Sequence, residues 1–217
     1  MDWSLPPSVV QAAAGLDMTQ LIALAAVLGW ASGLRLYLVV FLTGLAGWLG
    51  WVPLPQGLHV LQHPGVIAVA GLLVLVEFFA DKVPWVDSLW DAVHTFIRIP
   101  AGAALAAGVF GADAGAWTVV AALLGGGLAA TAHAAKATTR AAANTSPEPF
   151  SNLGLSLMGD AAVPGMLWLS WSHPVAFFIV LALALLLMVA TIVLMFKFLR
   201  GLVAALRQHF GAAPARA

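Results

Sequence analysis

Glu77, Asp81, Asp87 and Asp91 fall within nineteen residues that also hold Lys82 and His94, in a chain of which only 8% is charged. Carboxylates this close repel, so unless bases or a metal compensate, some take up protons near neutral pH. That is the chemistry of a proton or hard-cation site. The plainer reading is a solvated interfacial loop whose acids cap helices. Glu77 is the sharpest candidate, because it closes an apolar run and has Asp81 one turn further on the same face. Oxygen donors at i and i+4 suit a hard cation but are common, so the identity of any metal stays unknown.

Further along, Asp87, Asp91, His94 and Arg98 recur at i, i+4, i+7 and i+11 and so share one helical face. His133, Lys136 and Arg140 share another. They read either as an ordinary basic helix end or as partners for the acids, or for an anionic head group or solute, which arginine's forked donors suit. Arg35 and Arg98 are embedded in apolar sequence. A buried arginine without a partner is costly, so each is predicted to face the bundle interior and meet a carboxylate, a carbonyl cluster or a ligand. A fixed ion pair is the structural form of that expectation. Arg35, Arg98, Lys136 and Arg140 are expected to avoid lipid, and at least two of them to pair with acids from the set Glu77, Asp81, Asp87, Asp91 and Asp160. Lys136 and Arg140 are assigned as the charges opposite Glu77 and Asp81.

The elements that must position these residues are membrane helices. Of the 217 residues 62% are hydrophobic, mean hydropathy is +0.99, and Val175–Phe196 carries no charge. At 1.5 Å per residue that stretch covers about 33 Å, close to the roughly 30 Å of a bilayer's hydrocarbon. Nine acids and nine bases are too few for the surface of a soluble domain this size. The zero net charge offers no nucleic-acid footprint, and the absence of cysteine excludes disulfide and thiolate chemistry. The acidic start argues against a cleaved signal peptide.

The pattern predicts an all-α, polytopic transmembrane bundle of five or six spans with broken or re-entrant helices. Residues 1–217 form one membrane domain, with an N-terminal segment 1–17, halves 18–111 and 112–200, and a tail 201–217. Met18–Trp51 would be roughly 51 Å long as one helix, so an interruption is expected near Ser32–Arg35, with Gly33 as the weak point. A second span covers Val66–Ala80. Another starts near Asp87, is kinked at Pro100 and reaches Gly111. Ala116–Ala135 follows, with Gly125, Gly126 and Gly127 permitting close helix approach. Asn144–Asp160, rich in helix breakers, is predicted to be a loop or re-entrant structure. Ala161–Trp171 is too short to span alone, and Pro174–Phe198 is the last span. The interruptions in the two halves point weakly to an inverted repeat. Trp48, Trp51, Trp85 and Trp171 read as interfacial anchors, while His59, His63 and His173 have no predicted chemical role.

The segments ASGLRLYLVVFLTGLAG (31–47), EFFADKVPWVDSLWDAVHTFIRIPAGA (77–103) and HAAKATTRAAANTSPEPFSNLGLSLMGD (133–160) resemble the bacterial membrane family catalogued as domain of unknown function 4126. An E-x-x-x-D-K-x-P-x-x-D block combined with H-x-x-K-x-x-x-R carries the resemblance. It implies a polytopic helical membrane fold and functional weight for the two blocks, and no established activity. It also implies an acidic pair where this chain has Gly159 and Asp160, which weakens a metal role at that end.

Three function classes follow. The leading expectation is a small transporter or channel for an ion, a small solute or a lipid-linked anion, working through a central charged site. A second is a metal-dependent membrane enzyme acting on a lipid phosphate, with Asp87 and Asp91 holding the cation and Lys136 and Arg140 the phosphate; the remote acids Glu148 and Asp160 are poor substitutes for a second aspartate-rich motif. A third is a structural or partner-binding role. No nucleophilic triad, P-loop or dinucleotide fingerprint appears, so no catalytic residue and no cofactor is assigned. The expected partners are the bilayer, an ion, solute or lipid head group, and a second copy of the chain as an open option. Lys197, Arg200 and Arg207 at the end of the last span place the C-terminus in the cytoplasm of an inner (plasma) membrane by the positive-inside rule.

Overall fold

The computed structural model describes residues 15–83, 86–145 and 150–211, and among these all regular structure is helical. Helix α1 (Met18–Trp48) opens with a capping box: Asp17 accepts from the Gln20 amide at 2.8 Å, and the Gln20 side chain accepts from the Asp17 amide at 2.9 Å. Two amides that the first turn would leave bare are thereby satisfied. From Leu21 to Gly33 nearly every residue is buried, so this apolar segment is the centre of the bundle.

Arg35 breaks α1, with φ −145° and ψ 75°. The predicted interruption is therefore present, at Arg35 itself. Gly33 stays helical, and its role is packing: a Cβ there would overlap the Ala129 carbonyl. The break also turns the chain. Gly29 and Ser32 lie against Gly102 of α3 (Val86–Phe110), while Gly29 and Gly33 lie against Gly125 and Ala129 of α4 (Ala116–Ala143). Gly125 faces Gly102 and His133 faces Arg98, so α3 runs antiparallel to α4 and to the first piece of α1. Continued straight, α1 would bring Gly44 level with the first turn of α3, roughly 30 Å from Gly108. Instead Gly44 packs on Leu61 and Gly57 on Gly108. Four residues reach at most about 14 Å, so the second piece of α1 is bent sharply back from the first.

The short 3-10 helix Gln56–Gln62 makes that link and meets α2 (Pro64–Ala80) at 67°. His63 caps α2, its Nδ1 accepting from the Gly65 amide at 3.1 Å. Helix α3 runs through Pro100 to Phe110. Of the three glycines in α4, Gly125 packs most tightly, since an added Cβ would strike Ala106 and the Gly102 carbonyl; at Gly126 it would make only ordinary contact with Ala103 and the Ile99 carbonyl, and at Gly127 nothing lies within 4 Å.

One sequence expectation fails. Within Asn144–Asp160, predicted as loop or re-entrant, residues 150–160 are the first turns of α5 (Phe150–Ser172), whereas 146–149 lie outside the described residues. Glycine and serine weaken a helix by about 1 kcal/mol or less each, and tertiary contacts outweigh that. Ser156 is fully buried under Arg35. Ala161–Trp171 is accordingly the second half of a 23-residue helix, long enough to span. Helix α6 (Pro174–Gly211) closes the chain, with Ile179, Leu183 and Leu187 turned outward and at least 60% exposed. Trp48 and Trp51 are also exposed, as anchors would be, and Trp85 lies outside the described residues. Among the described residues five helices are long and apolar enough to cross a membrane, or six with the bent pair Gln56–Gln62 and Pro64–Ala80. This is a polytopic helical membrane protein.

Candidate functional site

Asp81 ends α2 as its C-cap residue and is fully buried. Its carboxylate meets Arg35 from the break in α1, Arg140 of α4 at 3.2 Å and Lys136 of α4 at 3.3 Å. Arg140 also donates to the Asp81 carbonyl at 2.8 Å. On its other side Arg35 donates to Asp160 at 2.9 Å and to the Ser156 hydroxyl at 2.8 Å, both on α5. The bend in α1 thus puts a guanidinium where acids of α2 and α5 both reach it.

A second group sits one turn back along α2. Arg98, with no exposed surface, donates to Glu77 at 2.5 Å and to Asp91 at 2.8 Å. Lys136 reaches Asp91 at 3.0 Å and so joins the two groups. Among the described residues Arg35, Arg98, Lys136 and Arg140 therefore meet Glu77, Asp81, Asp91 and Asp160, four bases against four acids whose formal charges balance. The predicted pairing of Lys136 and Arg140 with Asp81 is present. Glu77 is different: it is one turn earlier on α2 and faces Arg98 of α3. The acids' mutual repulsion is met by bases. The side chain of Asp87 lies outside the described residues, as does Glu148.

Histidines extend the network. Arg98 offers only donors, so His133 Nδ1, 3.4 Å away, is an acceptor and the ring proton sits on Nε2. That nitrogen donates to the Thr95 hydroxyl at 2.7 Å, and the Thr95 hydroxyl in turn donates to the Asp91 carbonyl at 2.9 Å. His94 Nδ1 donates to the Trp90 carbonyl at 2.7 Å, leaving Nε2 to accept from the Tyr37 hydroxyl at 2.9 Å. Lys82, in the turn after α2, lies over the Phe78 ring and donates to the Phe78 carbonyl at 3.1 Å. Burial pushes its ammonium below the usual lysine range. Sequence reasoning missed Ser156, Tyr37 and Thr95. Only Ser156 left a trace there, being one helical turn before Asp160.

Among the described residues three acids of the network keep one buried oxygen without a hydrogen-bond partner: Glu77 Oε2, Asp91 Oδ2 and Asp160 Oδ2. Among the described residues no three His, Cys, Asp or Glu side chains lie close enough to hold a metal ion. Beside the network, between α1, α4, α5 and α6, is a cavity of about 330 Å³. Among the described residues, Arg35, Lys136 and Arg140 line it together with Thr139, Thr191 and apolar side chains, and none of the described acids does.

Residues 22–194 match the model of a family described as Domain of unknown function (DUF4126). The chain belongs to the DUF4126 family. All eight members of the ion-pair network lie inside the matched span, as does the break in α1. Neither the curated proteins nor the solved structures contain a match to this DUF4126 chain.

Proposed function

We propose that this DUF4126 protein is a small inner-membrane transporter that moves an ionic solute past the buried network, with the end of α6 that carries Lys197, Arg200 and Arg207 in the cytoplasm. The observation that carries the reading is the contact of a desolvated ion-pair network, balanced in formal charge among the described residues, with a cavity that of its described members meets only the bases. As a staple for helices, such a network is a poor choice. Each ion costs roughly 2.5–3.5 kcal/mol at the centre of a membrane helix, and well-packed apolar side chains often hold a core as firmly. Embedded ionisable groups are instead the usual marks of a solute or proton path.

Neutrality also suggests how occupancy is coupled. An anion that takes a base from its acid leaves one uncompensated negative charge in a medium of low dielectric, which is strongly unfavourable. A proton taken up by an acid of the network restores the balance. Glu77, facing Arg98, Asp91, facing Arg98 and Lys136, and Asp160, facing Arg35, each have an oxygen free to receive it.

The test is proton flux into pyranine-loaded proteoliposomes under gradients of inorganic phosphate and, separately, hexyl phosphate. Proton movement that follows the anion gradient, and that is lost in a folded Glu77→Gln protein, supports coupled transport. No anion-linked proton movement with either probe counts against it. Metal-dependent hydrolysis of a phospholipid by the same preparation would replace it with the enzyme reading.

A further inference from the structure

We infer that the cavity between α1, α4, α5 and α6 binds an amphiphile, its phosphate- or carboxylate-type head on Arg35, Lys136 and Arg140 and its hydrocarbon chain against α5 and α6. The inference rests on the transport reading and narrows its cargo to a class. The head end is defined by charge. Arg35 and Arg140 are 3% exposed and Lys136 nearly as buried, so all three present donors from a desolvated wall, where charge-assisted hydrogen bonds are strong. Their acids, Asp81 foremost, stand behind them and out of the cavity. The hydroxyl-bearing Thr139 and Thr191 add polar contacts on the same walls.

The rest of the cavity is apolar. Trp30, Leu155, Ala162, Ala184 and Met188 line it, and Trp30 is held in place by its indole donating to the Met188 sulfur at 3.4 Å. At its edge are Met158 of α5 and Leu187 of α6, 63% and 70% exposed on the outer face of the bundle. That face is where lipid chains lie, so the cavity opens sideways to them. A volume of about 330 Å³ is at the small end of ligand sites, which run from roughly 300 to 1,000 Å³. It holds a head group and the first carbons of a chain, with the remainder lying along α6 among the lipids. A free inorganic anion would match the bases and leave the apolar walls unused; a zwitterionic lipid would match the walls and bring its own cation against three others.

The experiment is native mass spectrometry of the full chain in a neutral maltoside, titrated separately with phosphatidic acid, with phosphatidylcholine of the same chains, and with inorganic phosphate. Phosphatidic acid is expected to bind about tenfold or more tightly than either of the others. Lys136→Gln is expected to remove that preference. Because Lys136 also holds the fold together, a second variant is needed: Ala184→Phe fills the cavity from α6 and removes no ion-pair partner. It is expected to abolish phosphatidic acid binding while leaving thermal stability unchanged. Equal binding of the two phospholipids, binding of inorganic phosphate as tight as that of phosphatidic acid, or undiminished binding to a folded Ala184→Phe protein would each overturn the assignment. Binding without proton-coupled flux would retain the site and remove the transport reading. Coupled flux of inorganic phosphate with no lipid bound would do the reverse.

Discussion

Arg35 and Asp81 join the one non-helical residue inside α1 to the last turn of α2, and neither side chain is more than 3% exposed. The pair ties the bend to the helix that runs back beside it. Asp81 is shared by Arg35, Lys136 and Arg140, so its loss removes three ion pairs at once, whereas Asp160, a quarter exposed, makes one ion pair among the described residues, with Arg35. Breaking a buried pair by removing one partner typically costs about 3–5 kcal/mol. Asp81→Asn is therefore expected to lower the midpoint of denaturant unfolding in detergent far more than Asp160→Asn. Equal effects would show that the sharing carries no weight.

Burial also sets the salt response. At about 1 M salt the Debye length is about 3 Å, which erases pairs on a surface and leaves those inside a bundle. The Tm of the purified protein is expected to change little between low salt and about 1 M. A steep fall would mean that water and ions reach Arg98, which has no exposed surface.

Close packing makes a sharper contrast between two neighbours in sequence. Gly125 sits where a Cβ would strike Ala106 and the Gly102 carbonyl, and Gly127, two residues on, faces open space. Gly127→Ala is expected to be neutral or to stabilise by up to about 1 kcal/mol through helix propensity. Gly125→Ala must push α3 and α4 apart and is expected to lose stability by about 1–3 kcal/mol, the range for overpacked sites. Thermal unfolding of the two variants side by side gives the comparison, and matching Tm values would refute the packing.

How much of this was legible beforehand follows the physics of each feature. Charge stands out against hydrocarbon, so Arg35, Glu77, Asp81, Arg98, Lys136 and Arg140 could be singled out from their surroundings. Their need for partners could be predicted as well. Which acid meets which base depends on how α2 is rotated against α3 and α4, and a one-turn difference gave Glu77 to Arg98 instead of to Lys136. Length revealed that α1 must be interrupted. The exact residue was hidden, because the break falls on an arginine held by Asp81, Asp160 and Ser156 and not on the nearby glycine. Helix α5 was misread because Ser151, Gly154 and Gly159 weaken a local signal that burial of Ser156 overrides.

The aromatic link at the side of the network predicts a small effect. Tyr37 gives its hydroxyl to His94, which stacks on Trp90 with ring centres 4.1 Å apart. Tyr37→Phe removes one neutral hydrogen bond, worth about 0.5–1.5 kcal/mol, and leaves every ion pair in place. Stability should fall by that amount. The Glu77→Gln phenotype in proteoliposomes should not be reproduced by Tyr37→Phe, and abolished flux there would bring Tyr37 into the mechanism.

The bend itself can be measured directly, and the sequence makes the measurement clean. No cysteine is present, so Thr19→Cys and Leu49→Cys introduce two unique labelling sites, both exposed, one at each end of α1. A straight helix over that interval would separate them by roughly 45 Å at 1.5 Å per residue. The turn at Arg35 brings the second piece back toward the level of Gly108, so the ends must be much closer. Pulsed electron-electron spin resonance on the doubly labelled protein in detergent is expected to give a distribution centred well below roughly 45 Å. Replacing Arg35 by Leu in the same labelled chain removes the charge that Asp81, Asp160 and Ser156 hold, and should broaden that distribution or lengthen it. A centre at the straight-helix distance in the parent protein would dispose of the bend, and with it the geometry that brings α1, α2, α4 and α5 to one site.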